Sequence, residues 1–200
     1  GASVVGEAES WDFGVGAGFY LDATREPWLR HWRMESYLTR ELLPQVWQHA
    51  PVQRERTGIF GHSMGGHGAL TLALRHPGVF ASLSALAPIC APTRCAWGVK
   101  AFSGYLGDDR SAWARHDATE LIKAGASVPP LLIDQGLADK FLADRQLMPE
   151  AFEAACAAVG QPLAVRRHAG YDHGYYFIAT MVEDHLRHHA ALLEHGSPDR

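Results

Sequence analysis

The sequence predicts an α/β fold, a mostly parallel sheet with helices on both faces, in which residues 1–200 form one domain. Three observations predict it. Short apolar runs that suit buried strands alternate with segments of helical spacing, the pattern of a covered parallel sheet. The 200 residues, 47% apolar and 20% charged, suffice for one sizeable core and are too apolar for a disordered chain. No internal repeat or low-complexity linker divides them.

Taken in order, residues 1–32 are rich in glycine and aromatics without a period and read as loop. Apolar positions at Met34, Tyr37, Leu38, Leu42, Val46 and Trp47 predict a helix over 34–50, with Pro44 a kink. Residues 57–60 suit a buried strand, and 64–75 a small, apolar helix stopped by His76, Pro77 and Gly78. A strand follows at 82–87. Asp117 caps a short helix through 123, ended by Gly125. Residues 131–135 read as strand, and 147–159 as a helix with Pro149 in its first turn and Gly160 past its end. A strand at 163–167 and a long helix at 175–193 complete the order.

Composition excludes several classes. The net charge of −4 argues against a nucleic-acid partner, which calls for a basic surface. Cys90, Cys95 and Cys156 are odd in number and unremarkable in spacing, which points to a reducing, cytoplasmic setting over a disulfide scaffold. Two of them, Cys90 and Cys95, fall short of a four-ligand zinc site. No stretch reads as a membrane span or as a secretory signal. Residues 14–18 imitate a phosphate loop, but Phe19 breaks G-x-G-x-x-G and no strong strand precedes it. The sequence calls for no cofactor.

The chemistry centres on Gly61-His62-Ser63-Met64-Gly65, a G-x-S-x-G match between a strand and a helix. A serine hydroxyl attacks only when a base takes its proton, and a sharp strand-to-helix turn holds it out where base and substrate reach it. The helix start also points the Met64 N–H toward the site as an oxyanion donor. Where this motif operates, an acid and then a histidine follow on loops beyond later strands. Asp139 lies just past the 131–135 strand, with Asp134 in the strand body and Asp144 in the next element. His173 follows the 163–167 strand, directly before the last helix. Twelve histidines raise the question of a metal. His185 and His189 stand four apart, but a zinc hydrolase needs His-Glu-x-x-His and Leu186 follows His185, so His185, His188 and His189 are read as a polar helix face. His62 and His67, flanking the serine, are expected to pack around it.

Longer stretches carry a resemblance. SWDFGVGAGFYLDAT at 10–24, GHSMGGHGAL at 61–70, WGVKAFSGYLG at 97–107, LIDQG at 132–136, DKFL at 139–142 and YYFIATMVEDHLRHHA at 175–190 resemble, in order, the S-formylglutathione hydrolase (esterase D) family of α/β-hydrolases. The resemblance implies an α/β-hydrolase fold with a catalytic triad of Ser63, Asp139 and His173. It implies a glutathione thioester as a small-molecule substrate, cleaved to glutathione and formate in formaldehyde detoxification. Gly174 and Ala96 depart from the family's usual Ser and Pro. Only sixty residues precede Gly61 and they read as loop and helix, so the resemblance also implies that the first strands of the sheet and the second oxyanion donor lie outside this sequence. A chain lacking them is expected to fold poorly alone.

Trp97, Phe102, Tyr105 and Tyr176 are candidates for a compact acyl pocket, and Lys100 and Lys140 for contacts to glutathione carboxylates. A general short-chain carboxylesterase, an acyltransferase and a catalytically inert fragment are the competing readings, and a homodimer is left open.

Overall fold

The computed structural model describes residues 3–195. Positions 1 and 2 of the expected opening loop lie outside that range. From Ser3 to Arg33 the backbone is indeed irregular, apart from a 3₁₀ turn at Gly14–Gly16 and one antiparallel bridge between Asp22 and Arg33. Helix α1 spans residues 34–49 and is not uniform: Met34–Ser36 is α, Tyr37–Leu42 is π, and Leu43–His49 is α again. Pro44 explains the interruption. It offers no N–H to the carbonyl four residues back, and its ring would crowd that carbonyl. The backbone widens instead, and the Leu43 N–H bonds the Leu38 carbonyl, five residues back.

The sheet and its crossovers then alternate. Strand β1 (Gly58–His62) leads into helix α2 (Met64–Arg75), and β2 (Ser82–Leu86) follows. Three helices come before the next strand: α3 (Ala96–Leu106), α4 (Arg110–Trp113) and α5 (Ala118–Lys123). Strand β3 (Leu131–Gly136) precedes the one-turn α6 (Lys140–Ala143) and α7 (Pro149–Val159). Strand β4 (Leu163–His168) and helix α8 (Tyr175–His195) close the order. The four strands lie side by side as β1-β2-β3-β4, all parallel. All their C-terminal ends therefore point the same way, and the loops leaving them gather along one rim.

Capping follows the sequence. Asp117 accepts from the Glu120 N–H to start α5, and Gly125 ends the turn beyond it at φ +93°. Gly160, at φ +71°, closes α7. The helix at 96–106 was not expected, and α7 begins two residues later than expected.

Strand period sorts the two faces of the sheet. Leu83 and Ala85 of β2 and Leu131 and Ile133 of β3 pack with Leu70, Leu74, Ile122 and Phe152 from α2, α5 and α7. Each buried leucine or isoleucine stabilises the fold by about 1.5–3 kcal/mol. The alternate residues Ser82, Ser84 and Asp134 face α8 and are also fully buried. A second apolar cluster joins the opening loop to α3 and α8 through Phe19, Leu21, Phe102, Tyr105 and Phe177. Cys90, Cys95 and Cys156 are buried free thiols. No helix among the described residues is long and apolar enough to cross a membrane.

Candidate active site

Ser63 sits in the turn between β1 and α2, at φ +57° and ψ −120°. A side chain in that backbone region costs about 1–3 kcal/mol, and the surroundings must hold it. Its N–H donates to the Leu86 carbonyl (2.9 Å), and its own carbonyl accepts from His67 (2.9 Å). The turn is possible only with glycine at 61, since a Cβ there would lie 2.2 Å from the Gly65 carbonyl oxygen. Met64 opens α2, so its N–H has no carbonyl of an earlier turn to bind and is directed to the rim. The Ser63 hydroxyl makes no hydrogen bond among the described residues.

Asp139 lies three residues past β3 and caps α6, with the Phe141 N–H donating to its Oδ1 (2.8 Å). Oδ2 takes two further donors, His173 Nδ1 at 2.6 Å and the Gln135 side-chain amide at 3.1 Å. A carboxylate only accepts, so Nδ1 carries the hydrogen, and Nε2 is left as the basic nitrogen of a neutral ring. Burial pulls the Asp139 carboxyl upward. The bond and charge of His173, the Phe141 N–H and the Gln135 amide outweigh it and leave the acid below its ordinary pKa.

His173 is packed on both sides. Phe141 meets it edge-on at 4.7 Å, and the ring of His62 lies 4.4 Å away. His62 immediately precedes Ser63, so this contact brings the loop after β4 against the nucleophile turn. Burial, together with the charge His173 carries once protonated, lowers His62 to about 4 and keeps it neutral beside the base. The Asp139–His173 pair and the turn that carries Ser63, from three separate loops, thus meet at one rim of the sheet through the His62–His173 contact. Asp134 and Asp144 stand elsewhere: Asp134 faces α8, and Asp144 ends α6.

The remaining candidates separate. Trp97 and Lys100, with Lys140 and Phe141, line an open groove of about 320 Å³. Trp97 stacks near Phe141 at 5.7 Å, and Lys100 is ion-paired with Asp12. Tyr176 is 78% exposed in the first turn of α8 and stacks on Tyr171. Phe102 is a correction. It has no exposed surface, because α3 turns it inward onto Phe19 and Trp113. Tyr105 is likewise buried, its hydroxyl donating to the Ala17 carbonyl at 2.8 Å. Both belong to the apolar cluster that joins the opening loop to α3 and touch no solvent.

The histidines of α8 do form a polar face, and it is an interior one: His185 and His189 are 0% and 7% exposed. His185 Nε2 donates to Asp134 Oδ2 (3.0 Å), and its Nδ1 pairs with the Ser84 hydroxyl (2.7 Å). Ser84 meets His189 Nε2 (2.8 Å), whose Nδ1 pairs with Ser82 (2.6 Å). Asp134 also takes Arg166 Nε (2.7 Å) and His168 Nε2 (3.0 Å). This cluster repeats the residue types of a catalytic triad, but it lies sealed between α8 and the sheet where no substrate reaches. Its hydrogen bonds pin the helix.

Sequence reasoning missed Gln135 and Phe141. Gln135 could have been found as a second polar residue ending an otherwise apolar strand, two positions before the loop that carries Asp139. Phe141 had no local signal, because its role is the approach of a ring 32 residues later.

Comparison with known proteins gives the family and the fold. The Esterase family profile matches residues 2–188. An S-formylglutathione hydrolase of Mus musculus is 55% identical over 194 residues, covering 96% of this chain and 69% of that protein. One from Arabidopsis thaliana is 53% identical, covering 97% and 68%. The solved structure of an S-formylglutathione hydrolase from Agrobacterium tumefaciens superposes with a TM-score of 0.93 at 51% identity, over 96% of this chain and 69% of that one.

Proposed function

The chain belongs to the esterase family that includes the S-formylglutathione hydrolases, with their α/β-hydrolase fold, and from that premise we propose that it hydrolyses S-formylglutathione to glutathione and formate through Ser63, His173 and Asp139. The observation that carries the residue assignment is the 2.6 Å bond from His173 Nδ1 to a buried Asp139 beside the strained Ser63 turn.

In this reading His173 Nε2 takes the Ser63 proton as the hydroxyl oxygen bonds the formyl carbon. The carbonyl oxygen gains negative charge and is met by the Met64 N–H. Asp139 fixes the ring tautomer and stabilises the imidazolium without itself being protonated. The C–S bond then breaks, and the proton on His173 passes to the departing sulfur. A thiol with pKa of about 8.5 leaves with little protonation, so the acid role of His173 weighs less for thioesters than for alkyl esters. Water attacks the formyl-Ser63 ester, His173 takes its proton and returns it to Ser63, and formate departs.

A role in removing formaldehyde follows from that substrate. Three free, buried thiols support a reducing, cytoplasmic setting.

The test compares kcat/KM on S-formylglutathione and on p-nitrophenyl acetate, with fluorophosphonate labelling of the protein and of Ser63→Ala. We expect a preference for the thioester, and loss of both turnover and labelling in the variant. Equal labelling of the variant removes Ser63 from the mechanism; preference for the nitrophenyl ester replaces the thioesterase with a general carboxylesterase.

A further inference from the structure

The groove beside His173 holds an unbalanced arrangement of charge. Trp97 and Phe141 form one wall, and Phe141 also meets His173 at 4.7 Å, so one ring stands between the groove and the proposed base. Four charged side chains line it: Asp12, Lys100, Lys140 and Asp144. Asp12 and Lys100 neutralise each other in an ion pair that Ser10 also joins. Lys140 and Asp144 do not. They sit one turn apart on α6, yet no ion pair joins them or engages either with another side chain among the described residues. The Lys140 ammonium has only the face of Phe141 at 5.2 Å. An exposed cation and an exposed anion one turn apart, both lining the groove beside an aromatic wall, match a ligand group carrying one charge of each sign.

We propose that this groove seats the zwitterionic amino-acid end of the glutathione leaving group, its carboxylate on Lys140 and its ammonium on Asp144, with the Trp97–Phe141 wall against the planar peptide groups. The inference rests on the thioesterase reading and adds to it the residues that select the thiol. A neutral thiol offers nothing to this pair, so it forfeits the contact while its acyl carbon still reaches Ser63. The contact forms with the intact substrate as well as in the transition state, and so it acts on KM.

Free glutathione as an inhibitor of p-nitrophenyl acetate hydrolysis tests the site without any thioester turnover. We expect inhibition in the unaltered protein, with Ki raised about two- to fivefold in Lys140→Gln and in Asp144→Asn and more in Lys140→Glu, as befits charge pairs at an exposed site. Lys140→Arg should recover most of the loss. N-acetylcysteamine, a neutral thiol, should show one Ki across all variants. On S-formylglutathione the same substitutions should raise KM by a similar factor with little change in kcat. Equal glutathione Ki across the series, or no inhibition of the unaltered protein, overturns the subsite. Failure of the thioesterase reading looks different: p-nitrophenyl acetate is cleaved and S-formylglutathione is not, and the inhibition series still decides the groove.

Discussion

Acid should destabilise this protein well above the pH at which carboxylates protonate, and His67 shows why. Its ring has no exposed surface and lies among Phe19, at 5.4 Å, and Phe102, at 6.4 Å. Nε2 bonds the Phe19 carbonyl at 3.2 Å, and Nδ1 makes no hydrogen bond. Burial lowers its pKa from 6.5 to about 4, against the pull of the Phe19 and Ile89 carbonyls. The unfolded chain therefore binds a proton below pH 6.5 that the folded chain refuses until pH 4. Stability from this group is complete above 6.5 and declines as pH falls through that window. The shift amounts to about 2 kcal/mol by pH 5 and about 3 kcal/mol below pH 4. With a urea m-value of about 2 kcal/mol per M, that is about 1 M in midpoint by pH 5. His62 and His189, each lowered to about 4, and His116, lowered to about 3, push in the same direction. Urea unfolding at pH 7, 6 and 5 measures the slope. His67→Gln keeps a donor for the Phe19 carbonyl and cannot titrate, so its midpoint should depend less on pH by the His67 share. An unchanged pH slope in the variant, or an NMR titration in which the His67 ring protonates near pH 6.5, refutes the reasoning.

Two further outcomes follow from the polar contacts. Gln135→Leu removes a donor from the oxygen of Asp139 that holds His173; kcat should fall about tenfold, and the acid limb of the kcat/KM profile should move, a shift that mere loosening of β3 would not produce. Ser84→Ala leaves two buried imidazole nitrogens unpaired and should cost about 2–4 kcal/mol, or about 5–10 °C in Tm, while kcat per folded molecule holds; a loss of turnover larger than the folded fraction explains would implicate the buried cluster in catalysis.

What could be read from the sequence depended on whether the deciding partner was near in the chain. Strands β2 and β3 announced themselves as short apolar runs, and α2, α5, α7 and α8 by period and caps. The placement of Ser63 in a strand-to-helix turn, and of Asp139 and His173 in loops beyond later strands, was legible because each lies beside an element boundary that the chain itself marks. Helix α3 was not, because its glycines read locally as breakers. Gly104 answers a distant demand: a Cβ there would fall 2.3 Å from the ring of Phe13. The same distance hid Phe102, whose neighbours come from the opening loop and from α4. It also hid the burial of His185 and His189, whose serine partners on β2 stand about a hundred residues away. A polar side chain on a long helix looks solvated until the strand beneath it proves polar too.

Asp134, His185, Ser84, His189 and Ser82 are joined end to end in a space closed to solvent. Each of the three interior members links one neighbour to the next through its own hydrogen and lone pair. With His185 neutral and donating from Nε2 to Asp134, its Nδ1 is an acceptor, so the Ser84 hydroxyl spends its one hydrogen there and must accept from His189 Nε2, whose Nδ1 in turn accepts from Ser82. Every hydrogen in the run then points toward the carboxylate, and taking out any one member leaves an interior donor or acceptor unanswered.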